Sequence, residues 1–254
     1  MFETFLEYSG YWFRNNQAFL LNFEKDFRVF CFLLDVFRSR WARIGKEIDS
    51  HNRSLVGLLP FLQLFLRHSI FGFQHLGSFQ GFLSWLNFRP GLESFLILGK
   101  FIDEPANAEI WKNREKDWRT YTSTFSGKPL ISRSMPRSSD FQNVLSKIND
   151  GFMHPNPEFT FRDVTIYDQE HEVLLATEYF DLNPEVHEAH LLAYLNLTQN
   201  VILSSNQLLN TLFNEQLTYV SKPYSEINGS RAASLANKNP DAKKIMEELG
   251  LWRF

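Results

Sequence analysis

Between Leu20 and Ile44 the chain places Leu20, Phe23, Phe27, Phe30, Leu34, Phe37, Trp41 and Ile44 at alternating steps of three and four residues. That spacing keeps one narrow apolar stripe on a helix for about seven turns, whereas a strand would need alternation at every second residue. Phenylalanine at nearly every seam position is too bulky for a simple two-stranded coiled coil. The seam therefore predicts a long helix packed against two neighbours in a bundle, with a homodimer seam as the other arrangement.

Similar spacing recurs along the chain. From Phe88 to Asp103, Leu92, Phe95, Leu96, Gly99 and Ile102 share a face behind Pro90, which predicts a helix starting near that proline. Arg89 and Glu93 stand four apart beside the face and are placed to form an ion pair at its entry. Leu55 to Phe71 reads as a helix broken at Pro60. Gly72, Gly77 and Gly81 mark either a loop or points of close helix approach. Residues 106 to 122 form an amphipathic helix, and Ser123 to Ser139 reads as a long flexible loop or lid.

Ser138 or Ser139 caps a further helix carrying Phe141, Val144, Leu145 and Ile148, which ends near Gly151 before His154-Pro155-Asn156-Pro157. Phe159 to Thr165 and Val173 to Phe180 alternate as a small β-hairpin. Asn183, Pro184 and Glu185 start a helix of about thirty residues through Leu212. Residues 221 to 231 read as a linker, and Asp241 to Leu249 as a short helix that packs back or docks a partner. The expected architecture is all-α: an up-and-down bundle over residues 1 to 220 with a hairpin at about 159 to 180, then a linker and short helix over 221 to 254.

Composition narrows the function classes. Aromatic residues make up 16% of the chain, which argues for a packed interior and against disorder. The formal charge of -3 gives no general attraction to nucleic acid or anionic lipid. Cys31 is alone, so no internal disulfide is expected, and its apolar surroundings predict a buried, inert thiol. Glu3 and Glu7 precede any basic residue, and no secretory pattern follows, so a cytoplasmic location is expected. The longest apolar tract, Leu55 to Leu66, is twelve residues with Pro60 and Gln63 inside it, too short to span a bilayer.

Candidate chemistry gathers at the end of the Phe141 helix. Asn149, Asp150, His154 and Asn156 would point polar groups into a common space, with His154 as the proton-exchanging group and Asp150 orienting it. A purely structural role, in which His154 caps the helix or braces the hairpin, accounts for the same residues. His187 and His190, three apart, and His68 and His75, seven apart, read as histidines satisfied by ordinary hydrogen bonds. No zinc signature, phosphate-binding glycine loop, GxSxG elbow or paired-cysteine motif occurs, so neither metal nor cofactor is expected. Lys112, Arg114, Lys116 and Arg119 beside Trp111 and Trp118 could meet phosphates, but Glu109, Glu115 and Asp117 make a solvated face of mixed sign the simpler account.

Arg89-Pro90-Gly91-Leu92-Glu93, then Glu104-Pro105 with Asn107-Ala108, and later Ser146 to His154 together resemble the bacterial HEPN-like helical proteins, including families related to abortive infection. The resemblance covers roughly residues 55 to 215. It implies a four- or five-helix bundle and, in many members, a dimeric, metal-independent RNA nuclease. Its active motif is an arginine, usually a polar residue next, and a histidine four to six positions after the arginine. Asp150 and His154 match, but Asn149 stands where the arginine belongs. The nuclease implication therefore needs a guanidinium from elsewhere, with Arg89, Arg133, Arg137 and Arg162 as sources.

Two functions follow as expectations. One is a ligand- or protein-binding module without an intact catalytic motif, with Glu93, Asn149 and Asn156 as binding residues and a homodimer or another protein as partner. The alternative is a divergent RNA endonuclease using His154, Asp150 and Arg89.

Overall fold

The computed structural model describes residues 2–47, 58–153, 164–169, 172–177, 181, 183–213 and 222–254. The molecule is helical. Phe2–Asn22 (α1) and Glu24–Glu47 (α2) are separated at Phe23, so the seam predicted as one helix crosses a bend. Beyond that bend the seam behaves as its spacing requires. Phe30, Leu34, Phe37 and Trp41 are buried, and Phe30 stacks on Phe73 with ring centroids 3.8 Å apart. The indole of Trp41 donates to the Ser205 hydroxyl at 3.0 Å. This stripe is covered from within the chain, as a bundle helix between two neighbours, while Leu20 is left exposed. Cys31 is also exposed, contrary to expectation, because one residue past Phe30 is about 100° round the helix and off the buried stripe.

Leu59–Gly77 (α3) and Gly81–Asp103 (α4) form an antiparallel pair joined by a tight turn. Pro60 sits in the first turn of α3 and begins the helix instead of breaking it, since an amide at that position has no helical acceptor. Pro90 is the reverse case. It lies inside α4, nine residues after Gly81, and not at a helix start. The ring removes the amide that the Leu86 carbonyl would accept. One residue on, the Asn87 carbonyl accepts a hydrogen bond from His68 Nδ1 of α3 at 2.9 Å. The undecided glycines are points of close approach. A methyl group at Gly72 would meet the Ser84 carbonyl oxygen at 2.8 Å, and one at Gly77 would meet Asn16 Oδ1 at 2.9 Å.

The amphipathic stretch from 106 to 122 is two helices, Asn107–Lys112 (α5) and Trp118–Phe125 (α6). Between them Asp117 accepts from the Thr120 amide at 3.0 Å and caps α6, which restarts the helix instead of continuing it. The predicted lid is anchored. Asp103 at the end of α4 accepts from the amides of Arg133 and Ser134, each at 2.8 Å, and from the Ser132 hydroxyl at 3.0 Å. Leu130, Ser132 and Met135 are buried beneath this anchor.

Ser138–Ile148 (α7) buries Phe141, Val144, Leu145 and Ile148 as its spacing predicts. Its capping position is Arg137, with φ of 60°, not a serine; the Ser138 hydroxyl instead accepts the Ser132 amide at 2.7 Å. The chain then widens into a π-helical turn, Asn149–Met153. Val164–Gln169 (β1) and Glu172–Thr177 (β2) pair antiparallel, with Val164 opposite Thr177 and Gln169 opposite Glu172. The ladder lies further along the chain than the first predicted run, of which residues 159 to 163 fall outside the described residues.

Pro184–Phe213 (α8) is thirty residues long and starts as predicted, with Asn183 Oδ1 accepting the Glu185 amide at 3.0 Å. Ala189, Leu191 to Leu195 and Leu197 are fully buried, because α2, α3, α4 and the C-terminal helices surround α8. The predicted linker is helical where described: Tyr224–Ile227 (α9) and Gly229–Lys238 (α10) lead into Pro240–Gly250 (α11). The tail packs back on the bundle. Gly250 lies against Ala193, and its carbonyl accepts from Asn196 at 2.7 Å.

Candidate functional site

Helix α4 presents Arg89 and Glu93 on one edge, a single turn apart, with Nη1 of Arg89 3.3 Å from a Glu93 carboxylate oxygen. Their side chains keep 26% and 29% of their exposure, so the pair is half-buried and open to solvent on one side. Packing of α7 on α4, through Phe141 against Phe95, brings the π-helical turn alongside. There Asn149 Oδ1 accepts from Arg89 Nε. The guanidinium is thus shared between a carboxylate of its own helix and an amide of the predicted motif.

Tyr121 lies within the electrostatic reach of Glu93. Burial pushes the Tyr121 hydroxyl above its usual range, the charge of Glu93 raises it further, and Arg114 offsets part of the rise. Arg114 lies over the Trp111 ring at 4.7 Å, and the neighbouring Trp118 is 64% exposed. Of the acidic residues interleaved here, Glu109 is engaged by Lys112 at 2.7 Å and Asp117 by the Thr120 amide at 3.0 Å.

Asp150 lines a groove of about 410 Å³ between α7, α11 and the tail, together with Arg137, Lys147, Glu248, Trp252 and Arg253. Lys147 meets Glu248 across it at 3.2 Å, and Arg137 binds Asp140 at 2.9 Å and the Asn200 side chain. Of the four arginines considered as phosphate contacts, Arg89 reaches Asn149 and Arg137 is committed elsewhere. Arg133 stands in the anchored loop, where its backbone amide serves Asp103. Arg162, His154 and Asn156 lie outside the described residues.

The paired histidines take structural places. His68 bonds the Asn87 carbonyl, and His75 Nδ1 lies 3.0 Å from the Gln80 side chain. His190 accepts the Trp85 indole N–H on Nδ1 at 2.8 Å, and His187 Nδ1 donates to Asp181 at 3.1 Å. Both are fully buried. The same Asp181 carboxylate accepts the Gly81 amide at 2.7 Å, while the Asp181 amide donates to the Phe79 carbonyl at 2.6 Å. Burial alone would raise the Asp181 carboxyl. The His187 hydrogen bond, the fields of His190 and His187 and the Gly81 amide outweigh it and hold the group below the ordinary carboxylate range. Among the described residues no group of three His, Cys, Asp or Glu side chains could hold a metal ion.

Two clusters escaped the sequence reading. Asp181 sits just ahead of the Asn183-Pro184 helix start, a position that could have flagged it. The other links Asp26, Glu188, Tyr224 and Arg231: Arg231 Nη1 lies 2.9 Å from Asp26, its Nε lies 2.5 Å from Glu188, and the Tyr224 hydroxyl donates to Asp26 at 2.8 Å. These partners come from three distant parts of the chain, with no local pattern to announce them. No family model, curated protein or solved structure gives a match to this chain.

Proposed function

We propose that the protein is a helical binding module that engages a ligand or protein partner at the Arg89, Glu93 and Asn149 edge, without a working nuclease centre. The supporting observation is the 3.3 Å approach of the Glu93 carboxylate to the Arg89 guanidinium. A neighbouring carboxylate cancels much of the positive charge that a phosphate would need, while the guanidinium and amide remain able to hydrogen-bond a polar partner. In this reading the paired strands are an insertion carried by the bundle, and Asn156 is a further binding residue.

The test is recovery of a partner from a native extract by the wild-type protein and by Arg89→Ala, alongside the hydrodynamic size of each. A partner or self-association lost with Arg89 supports the proposal. A strict monomer that recovers nothing overturns it.

The contact between Arg89 and Asn149 favours a second reading, in which the chain is a divergent, metal-independent RNA endonuclease of bacterial HEPN-like type, acting as a dimer. Arg89 then supplies the guanidinium, His154 the acid or base, and Asp150 its orientation. Purified protein should cleave RNA in the presence of chelator, and both His154→Ala and Arg89→Ala should abolish the cleavage. Equal background from all three removes this reading.

A further inference from the structure

We draw no further inference here: the strongest candidate, the groove between α7, α11 and the C-terminal tail, has cationic walls already engaged by neighbouring side chains, Lys147 with Glu248 and Arg137 with Asp140 and Asn200, and nothing in the structure shows what covers it.

Discussion

A methyl group added at Gly72 would press on the Ser84 carbonyl and the Tyr194 hydroxyl, and neither can retreat easily. The first is backbone of a packed helix. The second is a fully buried side chain that donates to the Ser69 carbonyl at 2.6 Å. Gly72→Ala should therefore destabilise the fold by about 1–3 kcal/mol. Gly10, also helical, would meet nothing within 4 Å. There the same substitution should stabilise by up to about 1 kcal/mol, because alanine is the better helix former. Chemical denaturation of the two variants checks the contrast, and a Gly72→Ala protein as stable as wild type would refute the close packing of α3 on α4. Asp181 acts at the same scale through its charge. Its folded carboxyl is held low, so its contribution is complete above the unfolded value of about 3.9 and is lost as pH falls through the lower folded value. Asp181→Asn should lose stability at neutral pH and show a shallower decline below about pH 4 than wild type. Parallel acid limbs in stability-versus-pH curves would contradict this.

At the level of elements, apolar spacing was a good guide wherever one face of a helix meets the interior. The faces of α2 and α7 were readable from residues such as Phe30, Phe37, Phe141 and Ile148. Boundaries were less readable, because they depend on single polar groups and on prolines whose meaning changes with position. Pro60 and Pro90 differ only in how much helix precedes them, and that length depends on packing around Gly81 and Trp85. The stretch after α6 was misread for a related reason. Its serines, glycine and prolines look mobile in isolation, but one distant carboxylate, Asp103, gathers two amides and a hydroxyl from it. Burial raises that carboxyl, and the bonds from Ser134, Arg133 and Ser132 bring it below its ordinary range. Replacing Asp103 with Ala should release the segment, and limited trypsin digestion should then cut faster after Arg133, which is already exposed. Unchanged cleavage would mean that the buried Leu130 and Met135 suffice to hold it.

Across the whole molecule, α8 is the axis about which the other elements gather, and Arg231 ties α10 to both α2 and α8. Burial works against the Arg231 charge, yet its bonds to Glu188 and the field of Asp26 raise its affinity for the proton. The Tyr224 hydroxyl, buried beside Asp26, is also pushed upward. Arg231→Met should cost about 2–3 kcal/mol, less than for a fully dry pair because the guanidinium keeps 31% of its exposure. The double variant Asp26→Asn with Arg231→Met should recover part of that loss, since the more deeply buried of the two carboxylates no longer stands charged without a partner, while Glu188 keeps 29% of its exposure. Strictly additive losses in urea denaturation would show that the cluster is not an energetic unit. By itself the sequence determined that this chain is helical, where its main apolar faces run, and that Arg89 and Glu93 lie one turn apart, because those properties follow from the helical repeat. Only the tertiary structure decided that α8 is enclosed on all sides, that Asn149 meets Arg89, and that Asp181 and Arg231 join distant segments. Such contacts depend on how helices are stacked, and local spacing carries no record of it.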